Sequence, residues 1–99
     1  MLIRIVRMTF LEKRTADFLA IFQESKHKIR TFPGCLHLEL QRDLDHPAVF
    51  VTYSHWESAE ALETYRQSSL FKATWAATKV LFAGRPMAFS VENVETVTA

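Results

Sequence analysis

The run CLHLELQ, residues 35 to 41, alternates strictly between apolar and polar side chains after its first residue. A period of two is typical of a β-strand that buries one face, so this run is predicted to have a definite inside. Leu36, Leu38 and Leu40 form the predicted inner face. The opposite face then carries Cys35, His37, Glu39 and Gln41.

A second strand is predicted to return beside the first. The turn-forming residues DLDHP follow at 43 to 47, and AVFVTYSHW at 48 to 56 is rich in strand-forming residues. A turn centred near Asp45 predicts the antiparallel register of this hairpin. In that register Leu40 lies opposite Phe50, Leu38 opposite Thr52, and His37 opposite Tyr53.

The flanking segments predict three helices and two more strands. Thr15 is the predicted N-cap of the first helix and Ser58 that of the second. The first helix is predicted to end at residues 33–34 and the third at residues 84–86. Strands are expected at 2 to 10 and at roughly 87 to 94. The helical stripes are Phe18, Phe22, Ser25, Ile29 and Phe32, then Ala61, Leu62 and Tyr65, then Leu70, Phe71, Thr74, Trp75, Thr78, Leu81 and Phe82.

The resulting order, β-α-β-β-α-α-β, predicts a ferredoxin-like α+β sandwich, in which helices cover one face of a four-stranded antiparallel sheet. The 99 residues contain no Pro/Gly/Ser-rich stretch or charge block to divide them, so we expect a single domain over residues 1 to 99. Its core should span about residues 2 to 92, and the tail ETVTA, residues 95 to 99, is expected to fray.

The sheet face without helices is also predicted to be apolar. The first strand carries Ile3 and Ile5 on the face opposite Val6, and the third carries Val49 and Val51 opposite Phe50. A protein of this size has no other layer to cover such a face, so an identical subunit is the simplest cover. The sequence predicts a homodimer packed sheet to sheet.

Charge and composition argue against several classes of partner. The net charge is +1 with interspersed signs, which gives no basic field for nucleic acid. Arg4 and Arg7 interrupt the N-terminal apolar run, so it is predicted to be neither a signal peptide nor a membrane span. The four histidines have no metal-ligand spacing with one another or with Cys35, and a single cysteine suits a reducing cytoplasm.

The two tryptophans are predicted to share one space between sheet and helices. Trp56 lies on the same strand face as Phe50, and Trp75 lies on the inner stripe of the last helix, with Phe71 one turn away and Phe22 across on the first helix. Aromatic residues at helical spacing are usually core packing, which is the alternative interpretation. The hydroxyl groups of Thr52, Ser54 and Thr74 lie on the same surfaces. They favour instead a pocket for a flat, conjugated ligand.

Few other residues suggest chemistry. His37, Tyr53 and His55 could handle protons, but they lie on the odd-numbered face, where polar residues of a dimer interface are the commoner case. Arg4, on the inner face of the first strand, could hold an anionic group of a ligand or could simply reach the solvent at the rim.

The runs FPGCLHLEL and FVTYSHWESAEALETYRQSSLFK resemble the antibiotic biosynthesis monooxygenase domain family, over about residues 2 to 92. The resemblance implies a dimeric α/β barrel with a pocket between sheet and helices in each subunit. Members include cofactor-free monooxygenases of polyketide phenols or quinols and haem-degrading monooxygenases. In the phenol-oxidising members neither flavin nor metal is needed, because the deprotonated substrate itself gives an electron to oxygen.

Carried over residue by residue, the resemblance disfavours haem degradation. Trp56 matches the tryptophan of the haem-degrading branch, but Trp75 stands where that branch has its iron-ligating histidine. Val6 stands where the branch has an asparagine. An indole cannot ligate haem iron. The resemblance also leaves open that Trp75 fills the space that a ligand occupies in relatives.

Three hypotheses follow. The first is a cofactor-independent monooxygenase for a small aromatic phenol or quinol, with Trp56 and Ser54 as catalytic residues. Its substrate-binding residues would be Arg4, Phe22, Phe71 and Trp75, with Ser54 or Arg4 assisting an oxyanion. The second is a dimeric protein that binds an aromatic metabolite without turnover. The third, an isomerase-like role, would require a titratable group that the inner face lacks.

Overall fold

The computed structural model describes all residues from Met1 to Ala99. The predicted element order is confirmed. A single turn of 3₁₀ helix, Glu12–Arg14, precedes the first α-helix. The strands are β1 (Leu2–Thr9), β2 (Cys35–Arg42), β3 (Val49–Trp56) and β4 (Met87–Val91), and the helices are α1 (Thr15–Arg30), α2 (Ala59–Arg66) and α3 (Ser69–Lys79).

The four strands form one antiparallel sheet in the order β2-β3-β1-β4. Strand β1 lies between β3 and β4 although it comes first in the chain, because α1 carries the chain over the sheet and the hairpin returns beside it. The predicted α+β sandwich with a four-stranded antiparallel sheet is therefore confirmed. Even-numbered residues of β1 and β3 face the helices.

The predicted hairpin register was wrong by two residues. Leu38 lies opposite Ser54 and Leu40 opposite Thr52, while Phe50 pairs with Arg42. The turn is centred one residue later than predicted, near His46, and the Asp43 carboxylate accepts hydrogen bonds there from the backbone N–H groups of Asp45 and His46. Because the error is an even number of residues, each side chain keeps its predicted face beyond the start of β2.

At the start of β2 a β-bulge reverses the predicted alternation. Cys35 pairs with Trp56 and His37 with His55, so Leu36 between them is the extra residue. Cys35 is consequently buried, at 7% exposure, while Leu36 is 42% exposed. The prediction that Leu36 is inside and Cys35 outside was wrong, as was the pairing of His37 with Tyr53.

Side-chain caps explain two of the three helix starts. Ser58 accepts a hydrogen bond from the Ala61 N–H, as predicted, and Ser68 accepts one from the Phe71 N–H. Thr15 is not an N-cap: it is the first residue of α1, and its hydroxyl donates to the Glu12 carbonyl. Helix α1 instead follows directly from the 3₁₀ turn at Glu12–Arg14.

Helix α3 and strand β4 both end earlier than predicted. Helix α3 stops at Lys79, so Leu81 and Phe82 belong to the turn that follows it. Both residues still pack inward, because the chain turns toward the end of β1, where Phe82 forms a β-bridge with Phe10. Strand β4 ends at Val91, and residues 92 to 99 are exposed and in neither helix nor strand.

The interior contains two hydrophobic clusters. Both contribute side chains to a cavity between the sheet and the helices, which places that cavity within the core layer. The first cluster consists of Met8, Phe10, Phe18, Phe50 and Leu81, and the second of Cys35, Trp56 and Leu62.

The opposite face of the sheet, here called the outer face, carries exposed apolar side chains. In β4, Met87 is 59% exposed, and Phe89 and Val91 are each 41% exposed. Phe89 lies beside Ile5 of β1, and Val91 beside Ile3. The apolar surface therefore continues from the edge strand to the centre of the sheet. None of the helices has the length and apolar character needed to cross a membrane.

Candidate functional site

A cavity of about 260 Å³ lies between the inner face of the sheet and the three helices. Of its 20 lining residues, 13 are hydrophobic, so its walls are mostly apolar with a few polar positions. All four strands and all three helices contribute to it. It brings together the six residues singled out from the sequence: Arg4, Phe22, Ser54, Trp56, Phe71 and Trp75.

One row of side chains across the sheet is polar. Arg4 in β1 lies opposite Ser54 in β3 and opposite Ser90 in β4. An Arg4 guanidinium nitrogen donates to the Ser90 hydroxyl at 3.2 Å. Arg4 and Ser54 both line the cavity, so this row places two hydrogen-bond donors side by side on its sheet wall.

Trp56 is held rigidly in the sheet wall. It is 1% exposed, and its indole N–H donates to the Ser54 hydroxyl oxygen at 3.0 Å. Its ring stacks on Tyr65 of α2, with 4.8 Å between the ring centroids. Because Ser54 accepts this hydrogen bond, its own O–H remains available to donate to a ligand atom in the cavity.

Trp75 forms part of the helix wall and does not fill the cavity. Its ring stacks on Phe71, with 5.8 Å between centroids and 10° between planes, and its other neighbour is Phe82 at 5.5 Å. Both Trp75 and Phe71 are partly exposed to the cavity they line. Phe22 of α1 also lines the cavity, next to Phe18.

Two residues of α2 that also line the cavity were not singled out from the sequence. Tyr65 was predicted only as part of a helical stripe, yet it touches Trp56 and Phe71, and burial raises its pKa to about 12. Arg66 was not singled out because a basic residue in the last turn of a helix is ordinary. Its side chain is 47% exposed, so the cavity reaches the surface there.

The cavity is electropositive. Its ionisable residues are Arg4, Tyr65 and Arg66, and no aspartate, glutamate, histidine or cysteine lines it. Burial lowers the pKa of Arg4, and the nearby Arg66 charge lowers it further. Tyr65 is protonated at neutral pH, as tyrosines ordinarily are, and its raised pKa of about 12 makes it a still weaker acid. The site can therefore stabilise a negative charge, but it offers no side chain suited to act as a base near neutral pH.

The histidine cluster lies on the outer face, away from the cavity. The His37 and His55 rings are 4.9 Å apart, and Tyr53 is 5.1 Å from His55. His37 also hydrogen-bonds Glu39, which lowers the pKa of that carboxyl. No group of three or more histidine, cysteine, aspartate or glutamate side chains is arranged to hold a metal ion.

Residues 1–77 match the family model described as antibiotic biosynthesis monooxygenase. The chain belongs to the antibiotic biosynthesis monooxygenase family. The match covers β1 through most of α3, which are the elements that carry nearly all of the cavity wall. The resemblance seen in the sequence is thereby confirmed. No curated protein matches the chain.

Solved structures of antibiotic biosynthesis monooxygenases have the same fold. One has a TM-score of 0.90 at 21% identity, covering 96% of this chain and all of the other. A Caulobacter crescentus CB15 protein assigned to the family gives 0.88 at 25% identity, with 95% of this chain and 90% of that one covered. A Deinococcus radiodurans protein assigned to the family has a TM-score of 0.88 at 20% identity, with all of this chain and 98% of that one covered.

The three positions at which the sequence was compared with the haem-degrading branch all lie on the wall of this cavity. Trp75 and Val6 both line it, and so does Trp56. Histidine and cysteine supply the proximal iron ligand in most haem proteins, and neither lines the cavity. The residues present therefore do not fit a haem bound through such a ligand.

Proposed function

We propose that this member of the antibiotic biosynthesis monooxygenase family is a cofactor-independent monooxygenase that oxidises a small aromatic phenol or quinol with molecular oxygen. The observation that carries the proposal is the combination of aromatic walls with an electropositive polar row in one cavity. Such a cavity favours the ionised form of a flat phenol, which is the form that reacts with oxygen.

The aromatic walls would hold the substrate ring. Trp56 forms part of one side, while Trp75 and Phe71 stack on each other in another. Ligand pockets commonly measure roughly 300–1,000 Å³, and this cavity of about 260 Å³ suits a compact ring system. Phe22 completes the apolar lining from α1.

The polar row would stabilise the substrate's oxyanion. Ser54 can donate its hydroxyl to the phenolic oxygen, and Trp56 fixes the orientation of that hydroxyl through its indole N–H. The positive charge of Arg4 beside Ser54 would lower the pKa of a bound phenol, so that more of it is ionised at neutral pH. Deprotonation would then need no protein base.

The reaction balances with dioxygen as the only co-reactant. The phenolate gives one electron to O₂, and the resulting phenoxyl radical and superoxide combine at a ring carbon that bears hydrogen. With the addition of a proton this forms a C–O bond and a hydroperoxide. The ring carbon then loses its proton as the O–O bond breaks, giving a quinone carbonyl and water. One oxygen atom enters the product, and the other leaves as water.

Oxygen uptake by the chelator-treated protein tests this proposal. The substrates would be hydroquinones, catechols and anthrone-like phenols, which represent the proposed class of flat phenols and quinols. We expect uptake that depends on the protein and falls in the Trp56→Phe and Phe71→Leu variants. Val80→Ala is the control, because Val80 is exposed and lies outside both the cavity and the strands of the sheet.

A turnover that survives both Trp56→Phe and Trp75→Phe unchanged would show that the cavity is not the active site. The same conclusion would follow if Val80→Ala slowed uptake as much as Phe71→Leu does.

A second candidate function, binding of an aromatic metabolite without turnover, is favoured by one observation. The cavity contains two arginines and a tyrosine of raised pKa as its only ionisable groups, so it is better equipped to bind than to transfer protons. This candidate predicts tight binding of phenols and no oxygen uptake. The same absence of a base disfavours an isomerase-like role.

We also propose that the protein is a homodimer whose subunits pack through their outer faces. Phe89, Ile5 and Val51 give that face an apolar centre. In addition, the buried His55 Nε2 on the same face has no hydrogen-bond partner within the chain. A second copy would cover the apolar surface and could supply the missing partner.

We further propose a cytoplasmic location. The argument rests on the free, buried thiol of Cys35, the only cysteine in the sequence, which is compatible with a reducing compartment.

A further inference from the structure

Two guanidinium groups reach the same cavity from different layers of the fold. Arg4 comes from β1, one of the two inner strands of the sheet, and Arg66 comes from the helix layer as the last residue of α2. Like charges that share an apolar cavity repel each other, which is unfavourable while the cavity lacks an anion. Such an arrangement indicates a site prepared for a negatively charged group.

Neither arginine is neutralised inside the cavity. Arg4 hydrogen-bonds only the uncharged hydroxyl of Ser90. Arg66 pairs at 3.2 Å with Glu63, but Glu63 lies on the same helix, is 54% exposed and is not part of the cavity wall. An exposed pair of this kind contributes little and leaves Arg66 free to bind a second partner.

We propose that the ligand of this cavity carries a carboxylate, and that Arg4 and Arg66 hold this carboxylate between them. The inference rests on the proposed function and deepens it, because it makes the substrate a hydroxylated aromatic acid. Ser54 remains the donor to the phenolic oxygen. Arg66 is thereby a substrate-binding residue that determines specificity.

The chemistry of the two side chains favours a carboxylate over other anions. A carboxylate is planar and has two oxygens, one for each guanidinium, and it forms short charge-assisted hydrogen bonds with arginine. A phosphate group is bulkier and carries more charge, which suits a small cavity with 13 hydrophobic lining residues less well.

Matched pairs of ligands test the proposal. Gentisate is hydroquinone with a carboxylate, gallate is pyrogallol with a carboxylate, and methyl gallate is an uncharged counterpart of gallate. Binding would be measured without oxygen by quenching of tryptophan fluorescence, since both tryptophans line the cavity. We expect each acid to bind about tenfold or more tightly than its uncharged counterpart, with an affinity that falls as salt is added.

The variants separate the role of Arg66 from that of the rest of the site. Arg66→Gln is expected to weaken binding of the acids by about tenfold and to change binding of the uncharged ligands less than about twofold. Arg85→Gln is the matched control, because Arg85 is exposed and outside the cavity, and it is expected to change neither. Circular dichroism would show that both variants are folded.

Equal affinity for gentisate and hydroquinone, or equal effects of Arg66→Gln and Arg85→Gln, would overturn the proposed carboxylate site while leaving the aromatic cavity in place. Tighter binding of phenyl phosphate than of gentisate would also overturn it. If no aromatic probe binds, both this inference and the proposed function fail. If the acids bind as expected but oxygen uptake is absent, the carboxylate site stands and the monooxygenase proposal fails.

Discussion

The hydrogen bond between Trp56 and Ser54 predicts a measurable coupling between the two residues. The Trp56 Nε1 and Ser54 Oγ atoms are 3.0 Å apart, and both residues are buried, with Trp56 1% and Ser54 7% exposed. In Ser54→Ala the buried indole N–H loses its acceptor, which should lower the free energy of unfolding by about 2 kcal/mol. In Trp56→Phe the lost ring volume should cost about 2–3 kcal/mol.

The double variant should cost about 1–2 kcal/mol less than the sum of the two single variants, because once the indole is gone Ser54→Ala leaves no donor unpaired. The assay is urea unfolding at one protein concentration, followed by far-UV circular dichroism, since Trp56 is one of only two tryptophans that report by fluorescence. Additivity within about 0.5 kcal/mol would refute the claim that this hydrogen bond orients Ser54.

Three further predictions concern the scaffold. Gly34 has φ +90°, and a Cβ there would lie 2.6 Å from the Ala61 Cβ. Gly34→Ala should therefore lower the free energy of unfolding in urea by about 1–3 kcal/mol. Gly84→Ala is the control and should change stability little, because a Cβ at Gly84 would meet nothing within 4 Å. Phe89→Lys on the outer face should give the mass of a monomer in light scattering at micromolar concentration. Val80→Lys should remain a dimer, because Val80 is an exposed apolar residue that belongs to no strand. A monomeric wild type would refute the proposed interface. Burial raises the pKa of Tyr65 from 10.0 to about 12, so the unfolded state should lose the phenolic proton at a lower pH than the folded state does. The free energy of unfolding of the wild type should therefore fall between these two pH values, and that of Tyr65→Phe should fall less. An identical fall in both proteins would contradict the burial argument.

The fold could be predicted because hydrophobic periodicity determines which side of each element is buried. The alternation in β2 and β3 predicted their pairing, and the two-residue error in register did not move Trp56 or Ser54 off the inner face. The bulge at Leu36 could not be predicted, because it depends on how the start of β2 is anchored. Arg30 of α1 donates to the Cys35 carbonyl and helps to hold that residue in place.

The candidate site was predicted in part, for the same reason. The aromatic residues and Arg4 lie on periodic faces, so the pattern indicated that they share one space. Arg66 lies four residues after Leu62, on the same helical stripe, but it was missed because a basic residue in the last turn of a helix is ordinary. Its position over the cavity depends on where α2 begins and ends, which the Ser58 cap and the short turn to Ser68 determine. Only the three-dimensional arrangement places its charge close to that of Arg4.

The central claim is that this cavity oxidises an aromatic anion with dioxygen alone. The most direct test uses isotopically labelled dioxygen with the chelator-treated protein and the quinol or hydroxylated acid that it binds best, followed by mass spectrometry of the product. We expect one labelled oxygen atom in the quinone product and a much lower yield with Ser54→Ala. Oxygen that is recovered only as hydrogen peroxide, or a labelled product that forms equally well without the protein, would contradict the account.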